Sequence, residues 1–247
     1  MLRKIGFDEN RDELIIAGDI VDRGRENFEM LEYAASKPKG VTFLMGNHDE
    51  DFIFYCDRLL KLFKEGTLKG DPGRLFQSPE QRLLFSVHVI DHYDTVRMLL
   101  QDQRHGVTLE HFRRWKDRMS TFPYYECRIV GGRRYVIVHA GYISERKFLY
   151  ELKKGRLSNF YDVKQFYTWA REEGLRYGGV EGATVIFGHT PTIAESLFFN
   201  RGKVFVKKLG NRRFINIDCG CVFREWSPEA DLACIRLDDE KIFYLHA

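Results

Sequence analysis

The 247-residue sequence predicts an α/β fold in which short buried strands carry polar, ligand-type residues at their carboxyl ends. Three observations predict it. Four apolar runs each stop abruptly at a glycine or a histidine, and the first two runs are separated by a helix-length segment. Beyond them a long stretch, from about residue 50 to about residue 125, changes to helical period.

The strands come first. Leu14-Ile15-Ile16-Ala17 runs into Gly18-Asp19, and Val41-Thr42-Phe43-Leu44-Met45 into Gly46-Asn47-His48. Tyr135-Val136-Ile137-Val138 runs into His139-Ala140-Gly141, and Thr184-Val185-Ile186-Phe187 into Gly188-His189. Apolar runs without alternation read as strands buried on both faces, and a glycine at the end lets the backbone turn sharply or approach a ligand. From Asn27 to Lys37 the spacing of Phe28, Leu31, Tyr33 and Ala35 predicts a crossover helix, closed by Pro38 and Gly40. In the helical stretch Leu59, Leu60, Leu62 and Phe63 form one stripe, and an apolar run spans Leu83 to Ile90. Thr108 suits the N-cap of a helix holding Phe112, Trp115 and Met119 that ends at Pro123. The last third returns to strands: Val204 to Val206 and Phe214 to Ile217 flank a turn, and residues 232–237 with 242–245 predict a final hairpin.

The length suits a single domain over residues 1–247, with residues 50–125 as a helical insertion. The net charge of +3 gives no electrostatic reason for a nucleic-acid or membrane partner, and no run approaches the roughly 20 apolar residues of a membrane helix. The N-terminus lacks an apolar signal core, and the five scattered cysteines read as reduced thiols, so a cytoplasmic location is expected.

The strand-end residues carry the chemistry. Asp19 offers a carboxylate, Asn47 an amide oxygen, and His139 and His189 offer imidazoles, a donor set suited to manganese, iron or zinc. An ion there would bind a phosphoryl oxygen and lower the pKa of water toward about 7. Arg23 follows Asp22 on the loop after the first strand, where a guanidinium would meet phosphate oxygens. His48, beside Asn47, is placed to protonate a departing alkoxide, and Asp22 is a carboxylate able to hold its imidazole.

Gly18-Asp19-Ile20-Val21-Asp22-Arg23-Gly24 and Gly46-Asn47-His48-Asp49 resemble the GDxVDRG and GNH(E/D) signatures of the calcineurin-like metallophosphoesterases. Within them they look like small bacterial and phage serine/threonine phosphoprotein phosphatases. Val138-His139-Ala140-Gly141 and Gly188-His189-Thr190-Pro191 match the later histidine motifs. The segment Asn216 to Cys221 resembles NIDTGC, and Trp169 to Glu173 resembles a WxREE stretch. The resemblance implies a metallophosphoesterase β-sandwich flanked by helices. It implies Asp19 as bridging ligand of a dinuclear centre, with Asn47, His139 and His189 on the second metal. His48 would be the general acid, Asp22 its partner, and Arg23 and Arg171 the phosphate clamp.

The family also opens with a strand ending in DxHG that supplies the first metal site, and these residues contain no such motif. Because losing a central strand would expose sheet edges, the expectation is that Met1 falls inside the first helix of a longer protein. If the chain instead begins there, the first metal site keeps only Asp19. The expected function is a manganese-dependent protein serine/threonine phosphatase acting on a phosphoprotein or small phosphoester. The alternatives are a symmetric dinucleotide-polyphosphate hydrolase and a non-catalytic phosphate-binding protein.

Overall fold

The chain begins with a short helix α1 (Leu2–Ile5), strand β1 (Leu14–Ile16), helix α2 (Asn27–Ala35) and strand β2 (Val41–Phe43) in the computed structural model, which describes residues 1–246. Four helices follow: α3 (Asn47–Lys64), α4 (Pro79–His88), α5 (Thr95–Gln101) and α6 (Leu109–Met119), with a 3-10 turn at Pro72–Gln77. Then come β3 (Tyr125–Val130), β4 (Arg133–Val138), α7 (Glu145–Lys153), α8 (Val163–Trp169), α9 (Glu172–Arg176) and β5 (Ala183–Phe187). The chain closes with β6 (Phe205–Leu209), β7 (Arg212–Asn216), β8 (Asp231–Ile235) and β9 (Ile242–His246). These elements form two compact units: a sheet unit of Met1–Gly18, Gly40–Gly46 and Pro123–Ala247, and a helical unit of Asp19–Lys39 and Asn47–Phe122.

In the sheet unit five strands lie in the order β3-β4-β5-β7-β6. The central three are parallel, and antiparallel β3 and β6 close the two edges. The register aligns Val136 with Val185 and Phe214, and the next position aligns Ile137 with Ile186 and Ile215. Side chains alternate faces along a strand, so these two rows point to opposite sides. The Val136 row is buried with Phe148 of α7 and Phe166 of α8. The Ile137 row is buried with Leu44, and Ile15 of β1 and Ala233, Ile235, Ile242 and Tyr244 of the β8–β9 hairpin pack against it. The result is a mixed α/β unit with helices on one face of the sheet and strand pairs on the other. All five residues of β5 are buried, which is why its sequence shows no alternation.

Edge strand β3 is absent from the sequence expectation for a physical reason. Its half-buried positions are Glu126, Arg128 and Val130, while Ile129 is 73% exposed, so the apolar pattern is inverted. Glu126 and Glu13 pair with Arg128 at 2.5 and 3.1 Å, which lets those polar residues line the edge.

The helical unit is built on α3 and α6. Phe52, Tyr55, Cys56 and Leu59 form the buried stripe of α3, and Phe112, Trp115 and Met119 that of α6. The Trp115 indole donates to Glu32 on α2 at 2.7 Å, satisfying the one polar atom of a fully buried ring. Thr108 caps α6 as expected, in a box completed by His111. Asp91 accepts the Arg97 amide at 3.0 Å through Oδ2, and its Oδ1 is buried without a hydrogen-bond partner. Burial therefore pushes the Asp91 carboxyl up to about 6, against the Arg97 amide, which pulls it down.

Two expectations follow. Gly18 has φ +85°, and a Cβ there would lie 2.7 Å from His139 Nδ1 and 2.8 Å from the Gly46 Cα. Gly18→Ala should cost about 2 kcal/mol or more, read as a lower urea midpoint at unchanged slope. Asp91 is an acid whose folded pKa lies above the ordinary 3.8, so its ionisation opposes folding, and that cost sets in as pH rises from about 4 to 6. Asp91→Asn should therefore gain about 1–3 kcal/mol over the parent at pH 7.5 and lose that advantage at pH 4. Urea titrations at the two pH values check this, and an advantage that does not depend on pH would contradict it.

Candidate active site

The GDxVDRG segment leaves β1 through Gly18 and turns tightly. Asp19, Asp22 and Arg23 have φ of 54°, 73° and 57°, a left-handed backbone that non-glycine residues adopt at a cost. Asp49, in the first turn of α3, holds this loop. Its fully buried carboxylate accepts the Asp19 amide at 2.9 Å on Oδ2 and the Ile20 amide at 3.0 Å on Oδ1. The Asp22 amide donates to the Asn27 side chain at 3.0 Å, and the Asn27 amide group donates to the Gly24 carbonyl at 2.9 Å.

Within this helical unit the structure joins Asp19, Asp22, Arg23 and His48. His48 donates its backbone N–H to Asp19 Oδ1 at 3.1 Å, and its ring Nδ1 lies 2.6 Å from Asp22 Oδ2. The Asp22–His48 pair is nearly dry, with side chains 4% and 6% exposed. Burial alone would lower the His48 pKa, but the Asp22 hydrogen bond and the charges of Asp19 and Asp22 outweigh it, and the net shift is upward. The Nδ1–H donates to Asp22, so Nε2, 3.9 Å from Asp19 Oδ2, is the position that carries the second proton when the ring is charged. Asn47 is buried at the first position of α3. Two residues not singled out from the sequence belong here as well. The Thr95 hydroxyl donates to Asp22 Oδ1 at 2.5 Å, and the Tyr93 hydroxyl accepts from Arg23 Nη2 at 3.1 Å. No motif surrounds either residue. Only the fold brings them to the loop.

The sheet unit joins His139, His189 and Arg171. His139, 2% exposed at the end of β4, donates from Nδ1 to the Ala17 carbonyl at 2.8 Å. That bond fixes the tautomer and turns Nε2 outward as a lone pair, the arrangement of a metal-ligating histidine. His139 Nε2 lies 3.2 Å from His189 Nδ1. His189 itself has φ 68°, and its motif is anchored by the Gly188 amide donating to the His139 carbonyl at 2.7 Å. Arg171, in the bend between α8 and α9, donates from Nη1 to the Thr190 hydroxyl at 3.1 Å. The NIDTGC-like segment backs this corner. Asn216 donates to the Thr190 carbonyl at 2.8 Å and accepts the Asp218 amide at 2.9 Å.

The donor chemistry fits a divalent metal. Nitrogen atoms about 2.0–2.1 Å from one ion stand roughly 3–3.5 Å apart, and the two imidazole nitrogens already hold that separation.

The calcineurin-like phosphoesterase profile matches residues 1–210. Among curated proteins the chain is 28% identical over 111 residues to a symmetrical bis(5'-nucleosyl)-tetraphosphatase of Azotobacter vinelandii, which is 45% of this chain and 37% of that protein. It is 31% identical over 102 residues to the enzyme of the same name from Pseudomonas fluorescens strain ATCC BAA-477, across 39% of this chain and 33% of that protein. The chain thus spans well under two thirds of the length of these relatives. A crystal structure of a protein described provisionally as a diadenosine tetraphosphatase superposes with a TM-score of 0.50 at 18% identity, covering 99% of this chain and 84% of that one, which supports the fold. Among the described residues no helix is long and apolar enough to cross a membrane. With its motifs, its α/β architecture and the family profile in agreement, the chain belongs to the calcineurin-like phosphoesterase family.

Proposed function

We propose that the protein is a metal-dependent phosphoester hydrolase whose substrates are dinucleoside polyphosphates, split symmetrically. The observation that carries the hydrolytic part is the dry Asp22–His48 pair next to an arginine on the same loop. The substrate class is favoured by the relatives, which are named symmetrical tetraphosphatases. The motifs alone put a protein serine/threonine phosphatase first, and the relatives reverse that order. A purely phosphate-binding role would not need a buried acid–base pair.

In this reading Asp19, Asn47, His139 and His189 hold the metal, with manganese the expected ion. When bound, it would supply Lewis-acid polarisation of the phosphoryl group and an acidified water. Arg23 and Arg171 bind phosphoryl oxygens and orient the scissile bond. His48 delivers the proton at Nε2 to the leaving oxygen. Asp22, held by the Thr95 hydroxyl, accepts from Nδ1–H and stabilises the doubly protonated ring, the form that has an Nε2 proton to give.

The test offers the purified protein, with manganese, equimolar diadenosine tetraphosphate and a phosphoserine peptide. Two ADP per tetraphosphate, with the peptide consumed far more slowly, is the expected outcome. Rapid peptide dephosphorylation with intact tetraphosphate would establish the protein phosphatase reading instead. Metal-loaded protein that turns over neither substrate would end the hydrolase proposal. A second expectation concerns His48. His48→Asn should reduce kcat on phenyl phosphate by about 10²–10³-fold, and on p-nitrophenyl phosphate much less, because the better leaving group needs little protonation. Equal losses on both substrates would argue against the general-acid role.

A further inference from the structure

The connection between α4 and α5 is the strained segment of the helical unit. Ile90 has φ 55° and Asp94 has φ 57°, and a β-branched residue in the left-handed region is a true outlier. Ile90 is also 48% exposed, so burial of its side chain gives no compensation for that backbone. Strain of this kind persists where surrounding contacts over-determine the conformation. The contacts here are Tyr93 and Thr95, and between them they touch Arg23, His48 and Asp22. Thr95 is 1% exposed and bonded to Asp22. The Tyr93 ring lies 4.6 Å from the His48 ring at 55°, and the Arg23 guanidinium carbon lies 5.0 Å from the Tyr93 ring centroid. The Tyr93 hydroxyl accepts from Arg23 Nη2 at 3.1 Å.

We propose that Tyr93 is a positioning residue for the phosphate clamp: it holds the Arg23 guanidinium over its ring and on its hydroxyl, ready for a phosphoryl oxygen. This rests on the hydrolase reading above. Arg23 is otherwise an exposed side chain on a loop, free to lose much of its rotamer entropy each time it meets a phosphate. Tyr93 removes that cost in advance while occupying one of five N–H donors, which leaves a fork for the anion. The same ring packs against His48, tilted at 55° with centroids 4.6 Å apart. The helical insertion therefore contributes to phosphate affinity through Arg23, although no motif of the family marks Tyr93.

The experiment compares the parent with Tyr93→Phe and Tyr93→Leu, using steady-state kinetics on p-nitrophenyl phosphate and calorimetric binding of inorganic phosphate. Losing only the hydroxyl should raise KM and the phosphate dissociation constant about 3–5-fold, and losing the ring too about 10-fold or more, with kcat changed less than about 2-fold by Tyr93→Phe. In an Arg23→Ala background the Tyr93→Phe substitution should have no further effect on phosphate binding. Melting curves identify a variant that has failed to fold, and the isosteric Tyr93→Phe keeps the test decisive if Tyr93→Leu does. Phosphate binding by both variants at the parent's affinity, or a Tyr93→Phe effect that survives in Arg23→Ala, would overturn the proposal. A parent protein that neither binds phosphate nor turns over the ester would instead overturn the hydrolase reading itself.

Discussion

The motif loop of the helical unit depends on one buried carboxylate. Asp49 is fully buried, and burying a charge is tolerable only where hydrogen bonds replace its hydration. It gains those bonds from the backbone amides of Asp19 and Ile20, one to each oxygen. The arrangement works in both directions: the amides satisfy the carboxylate, and the carboxylate fixes Asp19 in a left-handed conformation it would not otherwise keep. From that fixed point Asp19 accepts the His48 amide, and the loop carries Asp22 into contact with the His48 ring. Removing the Asp49 charge would loosen Asp19, His48 and Asp22 together.

A second constraint, of steric origin, operates in the sheet unit. Gly18 passes so close to Gly46 and to the His139 ring that no side chain fits. This close passage brings the Ala17 carbonyl within 2.8 Å of His139 Nδ1 and so decides which ring nitrogen faces outward. The orientation of this imidazole is thus set by backbone packing at the end of β1 rather than by another side chain. The tight turns at Asp22, Arg23 and His189 carry the same signature. Backbone strain collects where functional groups must be aimed.

Much of this was legible in the sequence because the fold states its chemistry locally. Strand runs that end in Gly-Asp, Gly-Asn-His, His and Gly-His place donors at strand ends whatever the details of the loops. The helix around Phe112 and Trp115 declares itself by period and Thr108 declares its cap, whereas of the expected α3 stripe Leu59, Leu60, Leu62 and Phe63 only Leu59 is buried, beside Phe52, Tyr55 and Cys56. What escaped has a common cause. Edge strand β3 inverts its polarity because Arg128 is paired with Glu126 and Glu13. Tyr93, Thr95 and the Arg171–Thr190 bond act across long sequence separations, which no spacing rule encodes. Substrate choice was likewise not readable from motifs that protein phosphatases and tetraphosphatases share.

The central claim is that His139 and His189 bind the metal on which hydrolysis depends, and it can be tested without turnover. Pulsed electron paramagnetic resonance of the manganese-loaded protein reads imidazole nitrogen coupled to the bound ion. The account predicts nitrogen modulation in the parent, reduced in His189→Ala and abolished when His139→Ala is added. Bound manganese that shows no nitrogen coupling, or coupling unchanged in the double variant, would contradict it.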